Sequence, residues 1–517
     1  MGPASRLAAS RMAASIAAFV ILGAPVPGAQ TVRPVPRPAA PASRPATAER
    51  QLANDLQKLT ISDGVRRGLW GVIVYSLDRR QHLFDLNPQA LLVPASTAKL
   101  LSVASAYEAV GWNYRFQTTV WATGPIVDGT LKGDLVVTGS GDPSIASRGF
   151  SPLEEWVTEL KELGIQSIDG RIIGDDDAIE EPRPSLAWAW DDLGYPTGAV
   201  FGALNAEENR MTVTVTPGST DGSPAQISTE PRAEHRPLVS RVTTTSSGVS
   251  ELWPEQRPAE GALTIAGTVR QGSKPVTLSV AVGNPTRWFA GLLRHHLIAG
   301  GVPVTGGAFD VDDVEPRPHL DDEGAQILFV HQSPTLGELV QPLLKLSINL
   351  YGEAFLRLNS RTGVFATNDA ALDGLKTRMA SWGVSPDAAQ VIDGSGLSRR
   401  DAVSPDALLA VLQRMYDPTG ESPFMKGLPV AGVDGSLSNR MRNSPAMKRV
   451  RAKTGTMSNI RTLAGYVTTA DGEQMAIVVM VNNFEGTGAQ ARTAIDAMAT
   501  RVASFSRNQP DASCCAR

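Results

Sequence analysis

The pattern of hydrophobic residues differs between the two ends of the chain and its middle. Near the start, Gly71 to Leu77 and His82 to Leu86 flank a polar turn and predict a hairpin. Near the end, residues 463–469 and 474–481 predict a second hairpin, which a helical pattern follows. Between them, residues 115–311 contain short Val- and Thr-rich strands among many glycines and prolines. We interpret this different texture as a region inserted between the two ends.

The length and composition indicate a folded protein with more than one core. A chain of 517 residues exceeds the ~250 to 300 residues at which single cores stop growing, so we expect two or more domains. Hydrophobic residues make up 42% of the chain and charged residues 19%, and the formal net charge is -4. That charge gives no basic excess to hold a phosphate backbone, so no nucleic acid partner is expected. Within the middle, residues 263–269 and 276–282 predict a hairpin.

The N-terminus has the features of a secretory signal peptide. Two arginines precede an uncharged run, Met12 to Ala29, that is rich in Ala, Ile, Val and Leu. Its apolar centre is too short to span a bilayer. We therefore predict a signal peptide over residues 1–29, with cleavage after Ala24 left open as an alternative, and a Pro- and Ala-rich linker over 30–47. The mature protein is expected in the periplasm or otherwise outside the cytoplasm, without an integral membrane span.

Three short motifs follow one another along the chain. They are Ser96-Thr97-Ala98-Lys99, Ser347-Ile348-Asn349 and Lys453-Thr454-Gly455. Pro94 predicts the start of a helix, so Ser96 falls in its first turn. A spacing of three then places the amine of Lys99 on the same helix face as the hydroxyl of Ser96.

The first motif matches a chemical need. A serine hydroxyl is a poor nucleophile until a neighbouring base takes its proton, and Lys99 can be that base only when its amine is neutral. Burial, the positive end of its own helix and a second cation such as Lys453 would all lower the pKa of Lys99 from ~10.4 toward neutrality. The simpler alternative is that Ser96 is an ordinary first-turn residue and Lys99 a solvated surface charge.

The other two motifs can bind and orient a substrate. Lys453 and Thr454 on a strand edge can hold a carboxylate by charge and hydroxyl, and Gly455 allows the backbone of a substrate to approach closely. The hydroxyl of Ser347 could relay protons, and the amide of Asn349 could orient a substrate carbonyl. A solvated basic strand and the capping of a helix are the respective alternatives.

The three motifs together resemble the SxxK, SDN and KTG set of class A β-lactamases and penicillin-binding proteins. Further segments resemble one branch, the class C low-molecular-mass penicillin-binding proteins, which form the serine D-alanyl-D-alanine carboxypeptidase/endopeptidase family. These segments are Gly133-Asp134-Leu135, Gly139-Ser140-Gly141-Asp142-Pro143, Trp188-Ala189-Trp190-Asp191-Asp192-Leu193, Asp393-Gly394-Ser395-Gly396-Leu397-Ser398, and Leu428-Pro429-Val430-Ala431-Gly432 with Asp434-Gly435. The chain departs from the pattern at Ile348, where the motif of the family has an acid.

The resemblance implies an α+β multidomain fold. A β-lactamase/transpeptidase-like domain, an antiparallel sheet with helices on both faces, would be built from residues 48–114 and 312–506. Residues 115–311 would form the inserted, mostly-β domains II and III. The two terminal hairpins fit that plan independently. We predict a disordered tail over residues 507–517.

The resemblance also assigns catalytic roles. Ser96 would attack the carbonyl between two D-alanines, and Lys99 would accept the proton of Ser96. Ser347 would relay a proton to the leaving amine, and Asn349 would position the peptide. Lys453, with the threonine that follows it, would bind the terminal carboxylate.

Further positions would bind the substrate. They are Thr454, Gly455, Thr456, Asp192, Arg399 and Met457. The backbone N–H groups of Ser96 and Thr456 would form the oxyanion hole. Asp192 and Arg399 would pair with the amine and carboxylate at the free end of the stem peptide's diamino acid. The neighbouring Asp191 leaves the register of Asp192 open by one residue.

The sequence therefore predicts an exported serine D-alanyl-D-alanine carboxypeptidase/endopeptidase that acts on peptidoglycan stem peptides and crosslinks. The reaction would pass through an acyl-enzyme on Ser96, which penicillins would also acylate, so peptidoglycan peptides and β-lactam inhibitors are the expected partners. No cofactor or metal is expected, because the chain has no HExxH, Cys/His cluster or phosphate loop. The alternatives are a serine β-lactamase, against which the long insert argues, and a catalytically inactive cell-wall binding or scaffold protein. No oligomeric state is predicted.

Overall fold

The structure is a computed structural model. It describes residues 47–147, 151–181, 184–230, 237–256, 262–321, 323–360 and 365–508. The predicted signal peptide, residues 1–29, lies outside the described residues, as does the predicted linker except for Thr47. In the part of the chain that the structure describes, no helix combines the length and the apolar character that crossing a bilayer requires.

Helices and strands are numbered in chain order. The helices are α1 (Thr47–Thr60), α2 (Lys99–Val110), α3 (Leu153–Glu162), α4 (Pro285–Ala299), α5 (Leu336–Leu346), α6 (Asn349–Arg357), α7 (Asn368–Ser381), α8 (Pro405–Met415), α9 (Pro423–Gly427) and α10 (Gly488–Ala503). The strands are β1 (Leu69–Ser76), β2 (Gln81–Leu86), β3 (Gln117–Ala122), β4 (Ile126–Val127), β5 (Thr130–Leu131), β6 (Leu135–Gly139), β7 (Ser167–Ile168), β8 (Ile172–Asp175), β9 (Arg210–Thr216), β10 (Gln226–Glu230), β11 (Leu238–Thr245), β12 (Glu251–Gln256), β13 (Leu263–Arg270), β14 (Val276–Ala281), β15 (Ala308–Asp310), β16 (Gln326–Gln332), β17 (Ala389–Gln390), β18 (Ala402–Val403), β19 (Val450–Met457), β20 (Ile460–Thr468) and β21 (Gln474–Asn482).

A five-stranded antiparallel sheet joins the two ends of the chain, in the order β19-β20-β21-β1-β2. Strands β1 and β2 form the predicted N-terminal hairpin, and β20 and β21 form the predicted C-terminal hairpin. The two hairpins meet where β1 pairs with β21, with Val72 opposite Val479. The prediction that both ends build one antiparallel sheet is therefore confirmed.

Helices cover both faces of this sheet, which explains why its strands are hydrophobic almost throughout. On β1, Val72 and Val74 belong to the core that α1 and α10 close, while Ile73 belongs to the core that contains α2 and α8. Successive side chains of a strand point to opposite faces, so both sets of residues are buried. Each such side chain contributes on the order of 1.5 to 3 kcal/mol by leaving water.

Helix α2 is buried on nearly every side. Leu100, Leu101 and Val103 have no exposed surface, and α5, α6, α7 and α8 pack around the helix. The helix ends at Gly111, whose φ of 77° is a conformation that favours glycine. Tight packing holds the start of α2 in place, and the first sequence motif ends there, at Lys99.

The middle of the chain builds a second five-stranded sheet, in the order β15-β8-β6-β3-β16. It is mixed, because β6, β8 and β15 run parallel whereas β3 pairs antiparallel with β6 and β16. Trp156 of α3 and Phe289 of α4 pack in the core beside it. Strand β16 lies beyond residue 311, so this sheet uses chain past the predicted end of the insert. The division of the chain into domains stays a prediction.

Two smaller sheets correct the predicted hairpin at 263–269 and 276–282. Both segments are strands, β13 and β14, but they lie in different sheets, ordered β11-β13-β12 and β10-β9-β14. Strand β13 is central in its sheet, so both of its edges are already paired. The hairpin prediction is wrong because alternating hydrophobicity predicts a strand without determining its partner.

The C-terminal residues of the described chain are held against the rest of the protein. Arg507, the first residue of the predicted tail, donates a hydrogen bond from Nε to Oε2 of Glu473 at 2.8 Å and also contacts Glu49 of α1. Its side chain is only 15% exposed. The rest of the predicted tail, residues 509–517, lies outside the described residues.

Candidate active site

Ser96 lies in the 3₁₀ turn Ala95–Ala98 that leads into α2. The turn starts after Pro94, as the sequence predicts, although it is a 3₁₀ turn rather than the first turn of an α-helix. Ala95 adopts a φ of 47°, which is unusual for a residue with a side chain. The hydroxyl of Thr462 on β20 donates to the carbonyl oxygen of Pro94 at 2.8 Å, so the sheet holds the turn in this conformation.

Lys99, the first residue of α2, is fully buried. Its Nζ lies 3.0 Å from Oγ of Ser96. The same amine lies 2.7 Å from Oδ1 of Asn349 and 2.6 Å from the carbonyl oxygen of Ser395. The alternative of a solvated surface lysine is therefore wrong, and the first two motifs meet at one amine.

These contacts orient the amine of Lys99 when it is neutral and can accept a proton. The amide oxygen of Asn349 and the carbonyl oxygen of Ser395 only accept hydrogen bonds, so each takes one N–H of the amine. A neutral amine has two N–H groups and one lone pair. Its lone pair is then left for the hydroxyl of Ser96, which is the arrangement that a general base requires.

Burial lowers the pKa of Lys99 to about 8. The negative charges of Asp393 and Glu353 act in the opposite direction and raise it. Relative to an ordinary lysine, this pKa corresponds to about 3 kcal/mol in favour of the neutral form. At pH 7, roughly one Lys99 amine in ten is then neutral, far more than for a lysine in water.

Ser347 and Asn349 lie at the junction of α5 and α6. Ser347 follows α5 in a left-handed conformation with a φ of 64°, and its Oγ accepts a hydrogen bond from Nζ of Lys453 at 2.8 Å. Asn349 opens α6, and its Nδ2 donates to the carbonyl oxygen of Thr197 at 2.8 Å, which fixes the orientation of the amide. The side chain of Ser347 thus contacts Lys453, and that of Asn349 contacts Lys99. The alternative from the sequence was that these side chains cap a helix.

Lys453 is fully buried on β19. Its Nζ donates to Oγ of Ser347 and, at 2.9 Å, to the carbonyl oxygen of Thr454. Burial and the charge of Lys99 lower the pKa of Lys453 well below its usual range. The alternative of a solvated basic strand is wrong. Because Lys453 contacts Ser347 and Lys99 contacts Asn349, two residues further on, the three motifs share one centre.

Strand β19 lies at the edge of its sheet, and only part of its outer side is covered. The N–H of Ala452 donates to the carbonyl oxygen of Pro429 at 2.9 Å, and Val430 pairs with Arg451. Among the described residues, no strand pairs with the outer side of residues 454–457. An open strand edge can accept an extended peptide as an additional strand.

Gly455 is required by close packing between β19 and the turn that carries Ser96. A Cβ at Gly455 would lie 2.1 Å from Oγ1 of Thr462 and 2.7 Å from the carbonyl oxygen of Pro94. From the sequence we expected Gly455 to leave room for the backbone of a substrate. That role stays a prediction. Beside it, Thr454 is nearly buried, and its Oγ1 lies 2.7 Å from Oγ of Ser436.

The positions predicted to bind the stem peptide's diamino acid are only loosely connected to one another. Asp192 ends a 3₁₀ turn, Trp190–Asp192, and is half-buried, whereas Arg399 is exposed. Burial and the charge of Asp191 raise the pKa of Asp192, and the charge of Arg399 opposes them, so the two residues lie within electrostatic reach. Within the described chain, no ion pair joins them. Met457 is half-buried at the end of β19, next to the exposed Thr456.

Several groups in this site were not predicted from the sequence. The carbonyl oxygen of Ser395 contacts Lys99, the carbonyl oxygen of Thr197 orients Asn349, and Ser436 contacts Thr454. Ser395 lies within the quoted Asp393 to Ser398 segment, and Ser436 directly follows Asp434-Gly435, so resemblance could have suggested both. Thr197 has no such signal, because a backbone carbonyl carries no sequence signature.

One group of acidic side chains in the described ranges is close enough to share a metal ion. The carboxylate oxygens of Asp176, Asp177 and Glu181 lie within 4.8 Å of one another. Asp177 is already paired with Arg317 at 2.9 Å. The contacts around Ser96 and Lys99 do not involve this group, so the chemistry of the site does not depend on it.

Comparison with known proteins relates this geometry to a family. The sequence profile of the D-Ala-D-Ala carboxypeptidase 3 (S13) family matches residues 52–505. A D-alanyl-D-alanine carboxypeptidase of Actinomadura sp. (strain R39) is 28% identical over 473 residues, which covers 89% of this chain and 86% of the relative. The D-alanyl-D-alanine carboxypeptidase DacB of Haemophilus influenzae is 27% identical over 432 residues, which covers 82% of this chain and 87% of the relative.

Solved structures agree with the sequence comparison. Penicillin binding protein 4 (dacB) from Haemophilus influenzae superimposes with a TM-score of 0.75 at 26% identity, and the match covers 87% of this chain and 99% of that one. A second structure of that protein, complexed with a novel β-lactam, has a TM-score of 0.69 at 25% identity and covers 86% and 98% of the two chains. The sequence match spans both ends and the middle region, and the chain belongs to the D-Ala-D-Ala carboxypeptidase 3 (S13) family.

Proposed function

We propose that this protein is an exported serine D-alanyl-D-alanine carboxypeptidase and endopeptidase that cleaves peptidoglycan stem peptides and crosslinks through an acyl-enzyme on Ser96. One observation carries the proposal: the fully buried amine of Lys99 lies 3.0 Å from Oγ of Ser96 with two acceptor oxygens on its other donors. A serine and a lysine in this arrangement form a nucleophile with its base. Family membership supports the same reaction, and related D-alanyl-D-alanine carboxypeptidases carry it in their names.

In the acylation step, Oγ of Ser96 forms a bond to the carbonyl carbon between two D-alanines while Lys99 takes the hydroxyl proton. The carbonyl oxygen becomes an oxyanion, which the backbone N–H groups of Ser96 and Thr456 would stabilise. Loss of one such donor typically costs ~10² to 10³ in rate. The bond from carbon to the leaving amine then breaks, and the amine needs a proton.

Ser347 and Lys453 would supply that proton. Nζ of Lys453 donates to Oγ of Ser347 at 2.8 Å, so the Ser347 hydroxyl would pass its own proton to the leaving amine and be reprotonated by the ammonium form of Lys453. The charge of Lys99 lowers the pKa of Lys453, so a proton gained by Lys99 makes Lys453 a better acid. Water then attacks the ester carbonyl, and the same groups act in reverse to release Ser96.

The open part of β19 would hold the substrate. An extended stem peptide added along residues 454–457 would place its terminal carboxylate near Lys453 and the Thr454 hydroxyl. Asp192 and Arg399 would bind the amine and carboxylate of the diamino acid side chain, with Met457 beside them. These substrate contacts give specificity for peptidoglycan beyond the reacting bond.

The decisive experiment follows the intact mass of the mature protein after it is mixed with a penicillin. A stable adduct on Ser96 supports the proposed enzyme, rapid turnover of the adduct would indicate a serine β-lactamase, and no adduct would indicate an inactive scaffold. Ser96→Ala is the control that must abolish the adduct. Digestion of crosslinked and uncrosslinked muropeptides then measures endopeptidase against carboxypeptidase activity.

A further inference from the structure

A loop at residues 393–396 contacts Lys99 and the helix that carries it. The carbonyl oxygen of Ser395 accepts a hydrogen bond from Nζ of Lys99 at 2.6 Å. The carbonyl oxygen of Gly394 accepts one from Oγ of Ser102, one turn further along α2, at 2.7 Å. The position of this loop therefore sets the position of the Lys99 amine.

Glu353 on α6 fixes the loop through its backbone. Its Oε1 accepts a hydrogen bond from the N–H of Ser395 at 3.0 Å, and its Oε2 accepts one from the N–H of Gly394 at 3.1 Å. A Cβ at Gly394 would lie 2.2 Å from the carbonyl oxygen of Gly352, so the loop and the helix are in direct backbone contact. Ser395 thus accepts a hydrogen bond from Lys99 with its carbonyl oxygen and donates one to Glu353 with its N–H. One residue therefore links the carboxylate of Glu353 to the amine of Lys99.

Glu353 belongs to a buried cluster of three acids. Glu353, Asp393 and Asp401 are 5%, 1% and 0% exposed. Asp393 accepts hydrogen bonds from the N–H of Gly396 at 2.6 Å and from Nε1 of Trp188 at 2.7 Å. Burial and the charge of Asp393 raise the pKa of Glu353 to about 7 and hold that of Asp401 well above its usual range. With a pKa of about 7, Glu353 changes its charge near neutral pH.

A cavity gives Glu353 a route for proton exchange. It has a volume of about 260 Å³, and Glu353, Asp393 and the fully exposed Leu186 are among its lining residues. Such a volume accommodates several waters. The charged groups that face Glu353 are Asp393 and Asp401 in the cluster, Arg357 on its own helix, Lys99 across the loop, and Glu180, Glu181 and Asp369 around the cavity.

We propose that Glu353 is a positioning residue for Lys99: it orients the amine through Ser395, and release of its proton to the cavity sets how strongly Lys99 holds the proton of Ser96. This inference rests on the proposed function, because it concerns the base of that reaction. A negative charge on Glu353 favours the ammonium form of Lys99. The charge therefore makes Lys99 a stronger base while leaving fewer Lys99 amines neutral.

The test is Glu353→Gln in the full-length mature protein, with the rate of Ser96 acylation by benzylpenicillin measured from pH 6 to pH 9. Loss of the charge should move the midpoint of the profile down by about 1 pH unit. Above pH 8.5 the variant should be about threefold slower than the wild type, because its Lys99 is a weaker base. At pH 6 the two proteins should acylate at nearly the same rate, because Glu353 of the wild type is then mostly protonated and uncharged as well. General damage to the site would slow acylation at every pH.

Glu181→Gln is the matched control, since it makes the same change in the same cavity at an exposed residue without a contact to the loop. Its midpoint should equal that of the wild type. If Glu353→Gln folds, as judged by its melting temperature, and keeps the wild-type midpoint, the inference is overturned while the proposed function stands. If Glu353→Gln does not fold, Glu353→Asp is measured instead. It keeps the charge but shortens the reach to Ser395, and wild-type acylation in that variant would overturn the positioning role.

A wild-type protein that forms no adduct on Ser96 at any pH would overturn the proposed function itself. The two failures are therefore distinguishable: failure of the inference requires a wild type that is acylated, whereas failure of the proposed function requires one that is not.

Discussion

Replacing Gly396 with alanine should lower the rate of Ser96 acylation strongly and the stability of the fold only slightly. Gly396 has a φ of 76°, and a Cβ there would lie 2.0 Å from the carbonyl oxygen of Ala95, the residue before Ser96. Real Cβ atoms essentially never approach a neighbour within 3.0 Å, so the loop and the turn must separate by about 1 Å, a displacement that can reduce a rate ~10²-fold at a catalytic site.

Gly472, in the turn between β20 and β21, provides the matched control. Its φ of 85° resembles that of Gly396, but a Cβ there would meet nothing within 4 Å. Both alanine variants therefore carry the backbone penalty of a left-handed alanine, about 1 to 2 kcal/mol. Only Gly396→Ala adds the collision with Ala95, so the difference between the two variants isolates the contact of the loop with the turn.

The assay combines melting temperature with the second-order rate of labelling by a fluorescent penicillin. Gly472→Ala should melt slightly below the wild type and label within about twofold of its rate, whereas Gly396→Ala should label roughly 100-fold more slowly. Equal labelling by the two variants would refute the argument that the loop sets the geometry of Ser96.

Three further predictions concern charge. Acylation of Ser96 by penicillin should rise about tenfold per pH unit below pH 8 and then level off, because Lys99, whose pKa burial lowers to about 8, reacts as the neutral amine; a rate that is flat from pH 6 to pH 9 would exclude this base. Asp192→Asn should slow cleavage of peptides with a free diamino acid end more than it slows penicillin acylation, and equal losses would discredit the side-chain pocket. Burial raises the pKa of Asp142 to about 6, so the folded protein binds a proton that the unfolded chain has lost, and stability falls as the pH rises from the ordinary pKa of 3.8 to about 6. Asp142→Asn removes this loss, so calorimetry should find its melting temperature gaining on the wild type between pH 4 and pH 7.

The parts of the fold that could be predicted are those in which local pattern and long-range pairing agree. The terminal hairpins have short turns, so each strand of the hairpin finds its partner within a few residues. By contrast, β13 and β14 are also close in sequence but pair elsewhere, because β11 and β12 already occupy both edges of β13. In both cases the sequence predicts two neighbouring strands, and only the tertiary structure determines which strand each one pairs with.

The same distinction applies to the site. Ser96 and Lys99 could be placed together from their spacing alone, since three residues on a helical turn bring two side chains to one face. Ser347 and Lys453 needed the joint occurrence of three motifs. Glu353 carries no comparable signal, because its partner Ser395 lies 42 residues away and is contacted through the backbone. Interactions with peptide groups leave little trace in side-chain identity.

The pairing of β1 with β21 determines the order in which this protein can fold. About 400 residues separate the two strands, and synthesis at ~5 to 20 residues per second takes roughly 20 to 80 s to produce them. During that interval the apolar strand Leu69–Ser76 has one unpaired edge, while the second sheet, contained within residues 117–332, can already close. A chain that stops before residue 474 therefore lacks the middle strand of its first sheet, so β19 and β20, which lie against the turn of Ser96, have no strand that joins them to β1 and β2.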